Sequence, residues 1–445
     1  MQASPSRREP AGGAWPRWAL AVALALAAGR APAADPLVED SYARRDLRDL
    51  VGLGRKDAPV RPERGRLMLF ALPTVSANPT VGLALGVGAS AAILLGDESD
   101  TAVSSLSASA QYTTEQQLLL SLKSLLLTSG NAWELLGDLR LYDFAESTFG
   151  LGTASPTPVS GGFVLNGLET AELPGAQPLR YFYLKVHETA FRRVWRSLYA
   201  GVGFHLDAYR EIEDLALDLG ADPPAVTSHY GYSRLEGFDP GGYTTSGLSL
   251  AGLWESRDHT LDPHRGVFVQ LSWRMNREWL GSERASDVVY AEARTYLDLP
   301  GPRTRHLLAL WSFAEVVVAG SVPYLTLPAI GNDTRGRSGR GYTLGRWRGT
   351  GLVYGEAEYR FPITADGLVG GVAFLNATTA ARPGIQDATL GLDLPASGLF
   401  QSVKLGGGAG LRLMLDRRAR MNLVVDYAFG AGGSNGLYFS VGETF

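Results

Sequence analysis

From Val81 onward the chain repeats one pattern: an apolar side chain at every second position, in segments broken by turn residues. Val81, Leu83, Leu85, Val87, Ala89, Ala91 and Ile93 share one face of the first such segment, and Gly82, Ala84, Gly86, Gly88 and Ser90 share the other. The same reading sets Trp133, Leu135, Leu139 and Leu141 opposite Glu134, Asp138 and Arg140. Near the end, Leu405, Ala409, Leu411, Leu413 and Leu415 oppose Lys404 and Arg412, and Met421, Leu423, Val425, Tyr427 and Phe429 oppose Asn422 and Asp426. A period of two marks strands with chemically different faces. The segments run roughly 9 to 12 residues, the length at which a tilted strand crosses the hydrocarbon layer. A soluble sandwich also alternates, but here charges recur on the polar face and aromatic residues sit near strand ends, as a wet lumen and interfacial girdles require. Roughly 15 or 16 segments, and the even number that closure favours, predict an all-β fold: a transmembrane antiparallel β-barrel of about 16 strands.

The two ends of the chain place that barrel. Arg7, Arg8 and Arg17 accompany a short apolar stretch, Ala19–Ala28, and a small-residue site at Ala31-Pro32-Ala33. This is the layout of a removed secretory signal over residues 1–34, because the apolar run is too short to span a bilayer. Residues 35–65 are polar, broken by Pro59 and Pro62, and shorter than the ~50 residues of an independent domain. They read as a periplasmic leader, with the barrel at 66–445. The chain ends on an alternating segment, Leu437 to Phe445, in which Phe439, Val441 and Phe445 form the C-terminal strand signal. Export plus a barrel wall predicts the outer membrane of a Gram-negative bacterium, with membrane lipid and lipopolysaccharide as partners.

Composition then removes several chemistries. With no cysteine there is no thiol nucleophile or thiolate metal site, and a net charge of −4 gives no basic surface for nucleic acid. His187-Glu188 lacks the second histidine of a zinc-protease helix. Ser338, in Gly336-Arg337-Ser338-Gly339-Arg340, lacks the closing glycine of a nucleophile elbow. The acidic run Glu211, Glu213, Asp214, Asp218 and Asp222 reads as a solvated outer loop. No cofactor, metal or enzymatic activity is expected; a barrel hydrolase would need a Ser/His/acid cluster converging on one face.

Asp97–Asp100 and Asp416–Arg418 are short turns, while Ser147–Pro178, Arg210–Thr227 and Leu327–Arg348 are long. Short turns belong to the periplasmic side and long loops to the outside. A first strand starting at Val81 would put the Asp97 turn on the wrong side. Either that turn is a compact outer one or an earlier strand lies at Arg66–Val75.

Three motifs add identity. Trp254-Glu255-Ser256-Arg257-Asp258 is followed by Asp262-Pro263-His264-Arg265-Gly266; Gly339-Arg340-Gly341-Tyr342 sits in an arginine-rich loop; Glu356-Ala357-Glu358-Tyr359-Arg360-Phe361-Pro362 leads on to Gly370-Gly371-Val372-Ala373-Phe374-Leu375-Asn376. In this order, with the C-terminal strand, they resemble the barrel domain of the bacterial surface antigen family, in the BamA/TamA-like barrel-assembly and translocation superfamily. The resemblance implies sixteen strands, with a sixth outer loop folded into the lumen. There an arginine, by match Arg340 flanked by Gly339, Gly341 and Tyr342, pairs with acidic wall residues. Glu358 matches one partner, with Glu356 on the same face, and Asn376 stands where the family has an aspartate, which weakens the expected anchor. In place of the periplasmic POTRA modules usual in the family, only the short leader precedes the barrel. The resemblance implies help with insertion or translocation of polypeptides at the outer membrane, with a periplasmic or client protein as partner. Glycines Gly82, Gly86 and Gly88 beside Gly436 and Gly442 are expected to weaken the seam between first and last strands. The alternative is a non-catalytic structural barrel or narrow pore plugged by its own loop.

Overall fold

The computed structural model describes residues 46–47 and 64–445, except 98, 155–163, 166–167, 174, 259–261, 300–305, 334–335, 388–391 and 417–420. The expected signal at 1–34 and nearly all of the expected leader therefore lie outside the described residues. Among those described, sixteen strands close into one antiparallel barrel in chain order. They are β1 (Met68–Asn78), β2 (Gly82–Ile93), β3 (Ser104–Thr113), β4 (Leu118–Leu127), β5 (Trp133–Thr148), β6 (Gln177–Trp195), β7 (Leu198–Asp214) and β8 (Tyr243–Glu255), followed by β9 (Gly266–Asn276), β10 (Ser286–Leu299), β11 (His306–Gly320), β12 (Gly351–Pro362), β13 (Val369–Ala381), β14 (Lys404–Asp416), β15 (Met421–Gly430) and β16 (Asn435–Val441).

The alternation is inverted relative to a soluble protein. Leu85, Val202, Leu271 and Leu375 are 55%, 61%, 52% and 73% exposed on the outer face. Glu356, Glu358, Arg360, Arg412 and Asp426 are buried inside. Lipid explains both facts: it accepts apolar side chains but cannot hydrogen-bond, so every strand must pair and the charges must turn inward. Among the described residues no helix is long and apolar enough to cross a membrane.

The earlier strand exists: β1 begins before Val81 and pairs with β2 over eleven residues. The Asp97 turn then falls at the short-turn end, and the difficulty disappears. Counting from β1, the connections 149–176, 215–242, 321–350 and 382–403 all fall at the opposite end. The loop expected from Arg210 starts later, because β7 runs to Asp214, and it carries a helix, α1 (Ser228–Glu236). Thr227 caps α1 by accepting from Tyr230 N, and Gly237 ends it at φ 69°. The loop 382–403 was not among those expected.

Loop 321–350 folds into the lumen. Tyr324, Leu325 and Leu327 pack with Tyr181, Tyr209 and Tyr243 of the wall, and with Tyr232 of α1. Further along, Ile330, Tyr342 and Trp347 pack with Trp311 and Tyr354.

Candidate functional site, the lumenal loop and the barrel seam

The tip of loop 321–350 reaches the inner wall at β12 to β15. Period-two alternation on β12 puts Glu356, Glu358 and Arg360 on the lumenal face. Arg340, 3% exposed, donates to Glu356, to Glu358 and, at 2.6 Å, to Asp426 Oδ2 on β15. Its guanidinium stands 3.5 Å over the Phe374 ring of β13. The tip turns sharply because Gly339 and Gly341 adopt φ of 83° and 98°, a region that other residues rarely enter. Tyr342 Oη donates to Leu405 O at 2.5 Å and accepts from Ala431 N at 2.8 Å.

Asn376 does not take the role expected of it. Its Nδ2 donates to the Arg340 carbonyl at 2.9 Å, so it holds the backbone of the tip and not the charge. The carboxylate that the position lacks is supplied by Asp426, two strands further on. The anchor is accordingly not weakened to a single acid. Arg360 joins Glu358 at 2.6 Å, and Arg412 joins Asp426 at 2.5 Å and Glu443 at 2.9 Å. Three arginines thus interleave with Glu356, Glu358, Asp426 and Glu443. Removing Arg340 would take the arginine from buried Glu356 and leave Glu358 and Asp426 to Arg360 and Arg412, at a cost of about 3–5 kcal/mol.

Further tethers hold the same loop. At its base, Arg348 bonds Glu146 of β5 at 2.9 Å and the Tyr324 carbonyl at 3.0 Å. Gly341 N donates to Tyr438 Oη of β16 at 2.9 Å, and Leu344 N donates to Thr80 Oγ1, in the β1–β2 turn, at 2.8 Å. Arg337 donates to the carbonyls of Val441, Gly442 and Glu443 at 3.2, 3.1 and 2.6 Å. Ser338 Oγ accepts from Gly331 N at 2.8 Å and serves the turn itself.

The C-terminal residues depart from the expected strand. Phe439 lies on β16 and Val441 ends it, but Phe445 is not an outward residue of an extended strand. Residues 443–445 are buried, and the Phe445 ring lies against Trp311 at a centroid distance of 5.2 Å, with Arg360 donating to its carbonyl at 3.1 Å. The chain bends inward at Gly442, and the charges inside the barrel supply the partners that lipid cannot.

The barrel is closed unevenly. Strands β5 and β6 pair over sixteen residues and β15 and β16 over seven, whereas β1 and β16 meet in one registered pair, Ala77↔Phe439. The glycines expected to weaken this seam do not all flank it: Gly82, Gly86 and Gly88 belong to β2, one strand away.

On the lumenal face of β6 to β8, Ser249 Oγ lies 2.8 Å from His205 Nε2, while Asp207 bonds His187 Nε2 at 3.0 Å and Arg274 at 2.7 Å. The serine and the acid engage different imidazoles, so they do not form the single-histidine relay of a triad.

The sequence profile of the Omp85 superfamily domain matches residues 202–445, more than half of the chain. The chain belongs to the Omp85 superfamily. No curated protein sequence matches it. The structure of BamA from Haemophilus ducreyi lacking POTRA domains 1–3 aligns with a TM-score of 0.51 at 14% identity, over 85% of this chain and 70% of that one. CdiB from Acinetobacter baumannii aligns with a TM-score of 0.49 at 14% identity, over 84% of this chain and 59% of that one. The BamA likeness shows the fold. As an Omp85 barrel with an outward apolar belt, the protein resides in the Gram-negative outer membrane.

Alternation along each strand was enough to put Glu356, Glu358, Arg412 and Asp426 inside. It did not reveal that Asp426 meets Arg340, because that contact depends on register across three successive strands. Nor did it reveal the grip of Arg337 on backbone carbonyls, which carries no pairwise sequence signal.

Proposed function

We propose that this Omp85 barrel assists insertion or translocation of polypeptides at the outer membrane by accepting a polypeptide strand at the β1–β16 seam. The single registered pair at Ala77↔Phe439 carries this reading. Backbone N–H and C=O groups left unpaired in hydrocarbon cost several kcal/mol each. An eleven-residue β1 facing so short a partner is an edge that an incoming extended chain would satisfy through main-chain bonds. Arg340, with Gly339, Gly341 and Tyr342, is the latch that keeps loop 321–350 in the lumen against Glu356, Glu358 and Asp426, with Asn376 holding the backbone of the tip.

A photo-crosslinking residue at Leu69, in living cells, tests the entrance. Polypeptide adducts there, and none from the same probe at Leu139 on the fully paired β5, are the expected result. Equal labelling at both positions, or no polypeptide adduct at Leu69, overturns it. The reading as a self-plugged pore draws on the same buried loop; conductance that rises on deletion of residues 327–348, with no adducts at Leu69, would favour it. Residues 35–65 are the segment to use as bait for a periplasmic partner.

A further inference from the structure

Hydrogen-bond parity fixes which way the β1 backbone points. On β2, the Leu83 carbonyl accepts from Thr114 N at 2.9 Å and Leu83 N donates to Thr114 Oγ1 at 3.1 Å, so Leu83 faces away from β1. Successive residues of a strand direct their main-chain groups to opposite sides, and paired residues exchange both bonds or neither. Even-numbered residues of β2 therefore bond to β1. Through the register Asn78↔Gly82, Ser76↔Ala84 and Thr74↔Gly86, their partners on β1 are also even-numbered. The odd-numbered residues Leu69, Ala71, Pro73, Val75 and Ala77 aim their main-chain groups at the seam. Ala77 is the one that meets β16. Pro73 stands in the middle of this edge and has no N–H to offer.

The C-terminal segment turns away at the matching place. Extending the Ala77↔Phe439 register would set Val75 opposite Val441 and Pro73 opposite Glu443. Instead the chain bends inward at Gly442, whose φ is 81°. The carbonyls of Val441 and Glu443, which a zipped seam would turn toward β1, accept from the Arg337 guanidinium. The Glu443 carboxylate accepts from Arg412 Nε at 2.9 Å and from Asn422 Nδ2 at 2.9 Å. Charge-assisted bonds of this kind outweigh neutral ladder bonds, and opposite Glu443 the β1 edge has no donor at all.

We propose that Pro73 is the selectivity determinant of the β1 edge: with Arg337 it bars the protein's own C-terminal segment from closing the seam, and so reserves Leu69–Val75 for a strand from another polypeptide. This rests on the seam being the entrance. Pro73 removes one donor and leaves those of Leu69, Ala71 and Val75. An incoming strand with no alternative partner gains by pairing there, whereas the C-terminal segment already has a better set inside.

The chain contains no cysteine, so introduced pairs report without background. Val75→Cys with Val441→Cys, oxidised in membranes, should cross-link poorly, while Ala77→Cys with Phe439→Cys cross-links readily. Adding Pro73→Val, which disturbs no lumenal contact, should raise the 75–441 yield several-fold, and adding Arg337→Ala as well should raise it further. A complete 75–441 cross-link in the starting background overturns the proposal, as does a yield unmoved by the two substitutions together. If Pro73→Val zips the seam but labelling from Leu69 is unchanged, the entrance reading fails and the role of Pro73 in seam closure stands. If the seam never responds, the role of Pro73 fails whatever Leu69 labels.

Discussion

The wall at β5–β6 and the seam at β1–β16 belong to one sheet and face the same lipid, yet they are built in opposite ways. The wall pairs sixteen residues in register and backs them with lumenal ion pairs such as Lys185–Asp138 at 3.1 Å. The seam pairs one residue, places a proline on one side and an inward-bent chain on the other, and passes carbonyls of that bent chain to a loop. Barrel stability therefore does not need uniform closure. On the β16 side of the seam, Arg337 takes up the carbonyls of Val441 and Glu443 that the ladder leaves free, while the β1 edge keeps its donors for another strand.

Substitutions can separate the two designs. Leu139→Pro, in the middle of β5, removes a ladder donor between two paired strands and should abolish the folded, heat-modifiable form on a denaturing gel; a folded variant would show that the wall is not cooperative. Arg340→Ala should leave a closed barrel but cost about 3–5 kcal/mol and expose loop 321–350 to added protease, because Glu356, Glu358 and Asp426 lose their shared cation. Unchanged protease sensitivity of that loop in intact cells counts against the latch. Tyr438→Phe removes the hydroxyl that accepts from Gly341 N and should cost on the order of 1 kcal/mol, read as a small shift in the unfolding midpoint. Ala71→Pro should do least, because the Ala71 N–H already points into the seam. Its effect should stay within about 0.5 kcal/mol, whereas Thr74→Pro, whose N–H bonds β2, should destabilise strongly. Equal damage from these two would break the parity on which the seam's description rests.

How much of this was legible beforehand follows from the range of each signal. Alternation within a strand is local, so the lumenal face of β12 and the outward leucines of β2 could be read directly. Strand β1 was harder, since Pro73 interrupts its pattern and its alternation is less regular than that of β2. The seat of Phe445 and the pairing of Asp426 with Arg340 were not legible at all. Phe445 continues the alternation on paper, but the chain bends inward at Gly442 and Trp311 receives the ring. Asp426 reaches Arg340 only because the register from β12 to β15 brings Glu356, Glu358, Phe374 and Asp426 around one guanidinium, which no single segment encodes.

Thr80 and Tyr438 lie on opposite lips of the barrel, and loop 321–350 is stitched to each. If the seam opens as proposed, a fastening at the rim nearest the long loops would let the lips part from the far rim first, while the stitches hold. The loop would then serve less as a cork than as the pin of a hinge, and a gap opening below it would taper toward Ala77 and Phe439 instead of running the height of the wall.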